Sequence, residues 1–502
     1  MKHALPLPIV IPLLTAVVAI LFWSRPVVQR VIGLTGGSAL LCTSCAIFIS
    51  VYDNGILSIQ VGDWPAPYGI TLVADLLSSV LLVVTGLVVC VVSVVSLTEM
   101  DGGREAFGYH PLLHILTMGV CGSFLTGDIF NLYVWFEVML IASFVLLALG
   151  NEKAQLEGTI KYVTLNLIAS ALFLAAVGVL YGTFGTLNMA DLALQLRSSA
   201  QTPMASTLAT LFLLAFGIKA AVFPLFFWLP ASYHTPPVPV SAVFAGLLTK
   251  VGIYALIRFF TLLFIREGEG LHRLILLLSV VTMIVGVLGA IPQRDFRRIA
   301  SFNLIAHIGI ILAGLGLFTP LALIGTVFYL VHDMIAKTAL FLFAGILQRI
   351  GGHSDIMRLG GWYRSRPGIS WLFLLLALAV SGIPPLSGFW GKLILVQAGL
   401  SKEQYWVAAA ILITGFLTLY SMVKIWTEVF WTDAPNVPSD PGMPHQVPIR
   451  LPRSLLLPVA GLVFLTVCIG LWPLPLYRTA ERAAHQLCNP DQYMRAILGG
   501  EP

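Results

Sequence analysis

Apolar residues in this chain form runs of about twenty, separated by short clusters of polar residues, glycine and proline. A helix of about 20 apolar residues matches bilayer thickness, so the pattern predicts membrane-spanning helices. The clusters divide the chain into about fourteen spans, at roughly 4–23, 31–52, 70–97, 111–127, 129–149, 159–181, 206–229, 241–261, 272–291, 297–315, 321–346, 370–398, 406–430 and 453–473. The longest polar stretch is 431–452, so no separate soluble domain is expected.

Composition supports an all-α polytopic membrane protein. The 502 residues are 58% hydrophobic and 10% charged, with a mean hydropathy of +0.93. Soluble domains carry roughly a quarter charged residues, so a soluble protein is excluded. The first apolar run ends in Phe22-Trp23-Ser24-Arg25 without a small-residue cleavage site, which predicts a first span and not a signal peptide.

The net charge of +5 does not suggest a nucleic-acid site, because the basic residues are scattered over short loops. Lysine and arginine concentrate in the odd-numbered loops, for example at Arg25, Arg104 and Arg298. Such loops face the cytoplasm, so both termini are predicted outside the bacterial inner membrane. The Cys42-x-x-Cys45 pair lacks a second pair and is interpreted as structural. No nucleotide, phosphate or metal motif stands out, and no cofactor is expected.

A repeat links two parts of the chain. Gly158-Thr-Ile-Lys-Tyr162 is echoed by Gly325-Thr-Val-Phe-Tyr329, and Gly217-Ile-Lys219 by Gly382-Ile-Pro384. Five spans separate each pair, and an odd offset predicts two inverted five-helix units, as in transporters. Four segments are predicted. They are the first three helices at 1–105, the first unit at 106–262, the second unit at 263–432, and the last helix with the tail at 433–502.

Spans seven and twelve contain prolines in their interiors. Pro224 lies within span seven, and Pro384-Pro385 lies within span twelve between two glycines. Proline breaks or kinks a helix, and the freed backbone groups need protein or water around them. Span twelve is therefore predicted to be broken, whereas a simple kink and a functional break both stay open for span seven.

Among the ionisable side chains of the predicted spans, five are singled out as intramembrane charges, namely Glu137, Lys219, Lys250, Lys337 and Lys392. Each costs at least about 2.5–3.5 kcal/mol at the bilayer centre, which favours a function over pure structure. Burial disfavours a charged lysine and a nearby carboxylate favours it, so such a lysine can load and release a proton. Glu137 and Lys219 are predicted to form a switch pair.

Lys250, His332, Lys337 and Lys392 are predicted to extend this relay across the membrane centre. Histidine suits it because the side chain titrates near neutral pH. A core histidine without a function remains an alternative for His332 and for His307. Asp128, Asp333, Lys424 and Glu428 lie nearer the span ends and are expected to be solvated.

These motifs resemble the antiporter-like subunits shared by Mrp-type Na⁺/H⁺ antiporters, respiratory complex I and membrane-bound hydrogenases. The resemblance covers essentially the whole chain. It is carried by Lys250 and by the motifs Phe130-Asn-Leu-Tyr-Val-Trp-Phe-Glu137, Gly217-Ile-Lys-Ala-Ala-Val-Phe-Pro224, Trp228-Leu-Pro230 and Gly382-Ile-Pro-Pro-Leu-Ser-Gly-Phe-Trp-Gly-Lys392. Length and Lys392 make the chain look most like the D subunits of the Mrp type.

The resemblance implies fourteen helices, inverted units at spans 4–8 and 9–13, broken helices seven and twelve, and the five charged residues as the proton path. It also implies a heteromeric membrane complex, without activity of this subunit alone. One departure is Asn303, which stands where the family often has a histidine.

Three functions remain open at this point. The first is a proton-translocating subunit of a Na⁺/H⁺ antiporter, which is a secondary transporter and not an enzyme. The second is the homologous pump subunit of a redox complex, in which quinone reduction drives the relay. The third is a membrane scaffold whose ion pairs only hold helices together.

Overall fold

The computed structural model describes residues 2–198, 203–265, 268–433 and 451–499. The α-helices are α1 Leu7–Leu21, α2 Pro26–Asn54, α3 Leu76–Glu99, α4 Gly102–Ala106, α5 Tyr109–Leu125, α6 Ile129–Ala148, α7 Lys153–Phe184, α8 Met189–Ser198, α9 Pro203–Ala220, α10 Trp228–Ser232, α11 Val238–Val243, α12 Thr249–Leu262, α13 Gly268–Ala290, α14 Phe296–Leu317, α15 Pro320–Gly351, α16 Trp362–Ser365, α17 Pro367–Ser381, α18 Ser387–Ser401, α19 Tyr405–Ile425, α20 Arg453–Leu471, α21 Leu474–Cys488 and α22 Pro490–Leu498.

Shorter elements complete the description. Two π-helical turns, Phe244–Leu248 and Trp426–Trp431, extend α11 into α12 and lengthen α19. The 3-10 turns are Lys2–Ala4, Val61–Asp63 and Ile356–Arg358. Strands β1 Leu57–Gln60 and β2 Thr71–Ala74 pair antiparallel, with Leu57 opposite Ala74.

The chain is a multi-pass membrane protein. Eleven helices of the described residues are long and apolar enough to cross a membrane. The fourth, seventh and twelfth predicted spans are not among them, because α5 has 17 residues and the other two spans are each split into two pieces. The number fourteen therefore stays a prediction.

Spans seven and twelve are both broken, which confirms the prediction for span twelve and decides span seven in favour of a break. In span seven, α9 ends at Ala220 and helix resumes at Trp228. In span twelve, α17 ends at Ser381 and α18 begins at Ser387. The two breaks lie in the two units that the sequence repeat defines, whose boundaries stay a prediction.

The third predicted span, 70–97, is wrong at its start. Residues Thr71–Ala74 form strand β2, and α3 begins only at Leu76. Asp75 caps this helix, because its carboxylate accepts a hydrogen bond of 2.8 Å from the Ser78 backbone N–H. The predicted tail after 473 contains two amphipathic helices, α21 and α22. Most of the predicted polar stretch 431–452 lies outside the described residues.

Helix α15 forms the centre of the bundle. It packs against α14 and α18 of the second unit, against α11 of the first, and against α3, α20 and α21. An apolar stretch of 18 residues within each of the spans Val238–Leu262 and Pro320–Gly351 is completely buried inside the protein. Any polar side chain in these two stretches is therefore shielded from lipid and must find its partners within the protein.

Candidate functional site

The four predicted lysines all lie inside the bundle. Lys219 is in the last turn of α9, Lys250 in the first turn of α12, Lys337 in the middle of α15 and Lys392 in α18. Their exposed fractions are 6%, 0%, 0% and 7%, respectively. Each ammonium group is thus enclosed by protein.

The first helix break holds Lys219. Helix α9 ends in a tight turn in which Val222 N–H donates to the Gly217 carbonyl at 2.8 Å. The indole N–H of Trp228, on the far side of the break, donates to the Ile218 carbonyl at 3.0 Å and so satisfies an acceptor that the break exposes. Lys219 Nζ donates to Ser170 Oγ on α7 at 3.1 Å.

Glu137 lies on α6, close to this lysine but not bonded to it. The Lys219 ammonium sits over the ring of Phe136, 4.9 Å from its centroid. The ion pairs of the described residues, with N–O distances up to 4.0 Å, do not include Glu137 with Lys219, and Glu137 Oε1 is buried without a hydrogen-bond partner. The predicted switch pair is therefore open in this structure.

Lys250 forms an ion pair that joins the two units. Its Nζ lies 2.9 Å from Asp333 Oδ2 on α15, and both side chains are 0% exposed. Nζ also donates to the Ala245 carbonyl at 2.6 Å, within the π-helical turn Phe244–Leu248. A π-helical turn displaces carbonyls from the regular helix ladder, which here supplies an acceptor for the ammonium.

The expectation of a solvated Asp333 is wrong. Helix α15 is continuous over 32 residues, so Asp333 lies near its middle and not at a membrane surface. Asp333 Oδ1 is 2.9 Å from His307 Nδ1 on α14, and that nitrogen is 3.0 Å from the Tyr329 hydroxyl. Asp333 and His307 therefore belong to the same buried cluster as Lys250.

Asn303 lies one turn before His307 on the same helix. It is fully buried, and its side-chain oxygen and nitrogen have no hydrogen-bond partner within the described residues. Buried amide groups ordinarily find partners, often ordered water. Asn303 is thus a buried polar side chain on α14, but its amide group cannot take up a proton.

His332 and Lys337 continue the cluster along α15. His332 Nδ1 is 2.8 Å from the Ser387 hydroxyl, at the start of α18. Lys337 lies four residues after Asp333, so the two side chains share a helix face. Lys337 Nζ has no hydrogen-bond partner in the part of the chain that the structure describes.

The second break holds Lys392. Its Nζ donates to the carbonyls of Ser381 at 2.7 Å and Val380 at 3.2 Å, in the last turn of α17. A cation at a helix C-terminus satisfies free carbonyls and the helix dipole together. Gly382 makes this approach possible, because its φ is +86° and an added Cβ would lie 2.7 Å from Lys392 Cδ.

The arrangement is a row of titratable side chains through both units. It comprises four lysines, one buried aspartate, two histidines and the half-buried Glu137. Among the described residues no three His, Cys, Asp or Glu side chains are placed to hold a metal ion together. What the row can do chemically is accept and release protons at neighbouring sites.

Residues 126–418 match the family model described as NADH:quinone oxidoreductase/Mrp antiporter, transmembrane. The matched segment contains every member of the row. The chain belongs to this family.

Known members of the NADH:quinone oxidoreductase/Mrp antiporter family resemble the chain over its whole length. The D subunit of the Na⁺/H⁺ antiporter from Alkalihalophilus pseudofirmus is 42% identical, over 99% of this chain and 100% of that protein. A chain of the Mrp complex from Dietzia sp. DQ12-45-1b is 31% identical, with a TM-score of 0.91 and 99% of each chain covered.

Respiratory complex I from Thermus thermophilus contains a chain of the same fold. That chain is 23% identical, with a TM-score of 0.82, and the likeness covers 99% of this chain and 100% of the other. The family fold is therefore shared between antiporter and respiratory assemblies.

Proposed function

We propose that this chain is the proton-translocating subunit of a multisubunit Na⁺/H⁺ antiporter in the bacterial cell membrane, with both termini outside. It would work as a secondary transporter together with other membrane subunits. The observation that carries the proposal is the row of buried lysines in both units, of which Lys337 lacks any hydrogen-bond partner within the described residues. The likeness to the D subunit of a Na⁺/H⁺ antiporter and to an Mrp complex supports the assignment.

The charge balance of the row favours proton exchange over static structure. Four lysines face only two carboxylates, Asp333 and Glu137, and Asp333 is already paired with Lys250. An unpaired ammonium in a protein interior is unfavourable and can be relieved by loss of a proton. A proton passing along the row would leave one ammonium as a neutral amine and convert the next amine into an ammonium.

The open Glu137–Lys219 pair fits a switch in this row. Closing the pair would hold the proton on Lys219, and opening it would favour release of the proton towards Lys250. Lys250 in turn is held by Asp333, which also faces His307 and, one turn along α15, Lys337. Asp333 would thus set the order in which the two units exchange protons.

An imposed Na⁺ gradient tests the antiporter assignment against the redox alternative. The assembled complex in vesicles, without an electron donor or quinone, is expected to move protons when Na⁺ is added to one side. Proton movement that requires a quinone and a reductant, and that ignores Na⁺, would assign the subunit to a redox complex instead.

The part played by this subunit is tested by Lys219→Ala in the assembled complex. Lys153→Ala is the matched control, because Lys153 is a lysine of the same unit that is exposed at the start of α7. We expect Lys219→Ala to remove at least about nine-tenths of transport, a factor of ten or 1.4 kcal/mol, while Lys153→Ala keeps it. Unchanged transport in an assembled Lys219→Ala complex would support the scaffold function.

A further inference from the structure

Helix α7 carries a polar stripe that points at Lys219. Tyr162, Asn166 and Ser170 follow one another at steps of four residues, and their exposed fractions are 3%, 4% and 4%. Four residues advance a helix by about 6 Å and return nearly to the same face. The three side chains therefore form a line along the inner face of this helix.

The inner end of the stripe reaches the lysine. Ser170 accepts the hydrogen bond from Lys219 Nζ. A cavity of about 20 Å³ lies beside it, lined by Lys219, Tyr162, Asn166 and Trp228, with apolar side chains on the other sides. A polar cavity above roughly 10–15 Å³ can hold one water molecule.

The groups around this cavity suit a water molecule. An ammonium group has three N–H donors, and Lys219 donates one of them to Ser170. Asn166 uses its amide N–H on the Tyr162 carbonyl at 2.9 Å, which keeps its side chain in place. The Tyr162 hydroxyl is held 2.6 Å from Ser143 Oγ on α6.

A larger cavity of about 420 Å³ lies beyond the outer end of the stripe. Its lining includes Gly158, Lys161, His234 and Arg298, at the end of the bundle that the loop charges predict to face the cytoplasm. Gly158 lies four residues before Tyr162, so the cavity touches the helix face that carries the stripe. Tyr233, next to His234, has a buried hydroxyl without a hydrogen-bond partner among the described residues.

We propose that protons reach Lys219 from this larger cavity along the α7 stripe. Tyr162 and Asn166 are positioning residues that hold a water molecule beside Lys219 Nζ. The water gives one proton to the neutral amine and takes one from the side of the larger cavity, so that one proton moves and the water is regenerated. The proposal rests on the proposed function, because it names the access route to the same lysine.

The experiment uses two pairs of variants in the assembled complex. Asn166→Leu and Asn166→Ser both lose the amide group, but only serine keeps a polar group that can bind water. Tyr162→Phe removes the hydroxyl, and Tyr109→Phe is its control. Tyr109 is equally buried, and its hydroxyl lies the same 2.6 Å from Ser96 Oγ, on helices that do not carry the stripe. The rate of Na⁺-driven proton movement and the half-saturating Na⁺ concentration are measured for each variant.

We expect Tyr162→Phe and Asn166→Leu to lower the maximal rate at least fivefold, with the half-saturating Na⁺ concentration unchanged. Asn166→Ser and Tyr109→Phe are expected to stay within twofold of the unchanged protein. The route is wrong if Tyr162→Phe behaves like Tyr109→Phe, or if Asn166→Ser is as slow as Asn166→Leu. If Asn166→Leu does not assemble, the Tyr162→Phe and Tyr109→Phe pair decides alone.

Lys219→Ala separates this route from the proposed function. If Lys219→Ala abolishes transport and the stripe variants do not change it, the route is wrong and the function stands. If Lys219→Ala leaves transport unchanged, both the route and the proposed function are wrong.

Discussion

Lys250 and Asp333 connect the two units of the bundle through an ion pair of 2.9 Å that is closed to solvent on every side. The pair stands between α12 and α15, which both belong to spans with a completely buried apolar stretch of 18 residues. His307 and Lys250 bind different oxygens of the same carboxylate. A change of charge at any one of these groups is therefore felt directly by the other two.

Asp333→Asn is predicted to destabilise the protein through Lys250. The substitution keeps the size of the side chain but leaves the Lys250 ammonium buried without its counter-charge. Removing one partner of a buried pair costs about 3–5 kcal/mol, whereas removing both costs much less. We expect the Asp333→Asn complex to dissociate at a lower temperature in detergent than the unchanged complex.

The double variant Lys250→Met/Asp333→Asn is the control for this prediction. It is expected to recover most of the lost thermal stability while transporting no better than the single variant. A double variant as unstable as Asp333→Asn would mean that the cost does not come from the unpaired ammonium.

Gly252→Ala is predicted to push α12 away from the first break. A Cβ at Gly252 would lie 2.8 Å from the Ala220 backbone nitrogen and 3.0 Å from the Lys219 carbonyl carbon. Backbone atoms cannot rotate aside, and overpacking typically costs about 1–3 kcal/mol. We expect a lower dissociation temperature and slower transport, measured in the same detergent and vesicle assays.

Gly217→Ala is the matched control within the same break. Its Cβ would meet only Val222 Cβ, at an ordinary 3.8 Å. Alanine in a helix is favoured over glycine by about 0.5–1 kcal/mol, so stability should hold or rise. Equal losses in the two variants would show that the tight contact at Gly252 is not the cause.

His234 is predicted to make the complex sensitive to acid. It lies in the connection after α10, where Nδ1 is 2.8 Å from the Pro230 carbonyl and Nε2 is 3.1 Å from Arg298 Nη2. Burial, and next the Arg298 charge, lower the pKa of His234 below its ordinary value of 6.5. The unfolded chain therefore binds a proton at higher pH than the folded chain, and stability falls as the pH drops through about 6.5.

His234→Gln removes this titration. The dissociation temperature of the unchanged complex should fall more between pH 7.5 and pH 5.5 than that of the His234→Gln complex. Parallel losses in both proteins would contradict a contribution from His234.

The residues were sufficient to predict the membrane class, the break in span twelve and the burial of four lysines, whereas they left a kink and a break open for span seven. The membrane class and the break in span twelve depend on local composition, since long apolar runs span bilayers and the adjacent prolines Pro384-Pro385 interrupt a helix. A single proline is a weaker signal, because Pro12 and Pro458 lie inside the continuous helices α1 and α20. The predicted start of α3 is wrong because strand β2 is as apolar as a membrane helix, and only the capping residue Asp75 separates the strand from the helix.

The partners of the lysines could not be predicted from the sequence. Lys250 and Asp333 are 83 residues apart, and their contact depends on how α12 packs on α15. The acceptors of Lys392 are backbone carbonyls, which carry no sequence signal. One usable signal does exist, because Asp333 lies four residues before Lys337 and a carboxylate at that spacing shares the face of a functional lysine.

Lys337 offers the most direct test of proton movement through both units. Its side chain is fully buried and makes no hydrogen bond in the described structure, so methionine replaces it with little change in volume and without loss of a bond. Na⁺-driven proton movement is measured in vesicles that contain the assembled Lys337→Met complex. The proposed relay predicts a fall of at least about tenfold, or 1.4 kcal/mol, with assembly unchanged. Transport at the full rate by that complex would contradict it.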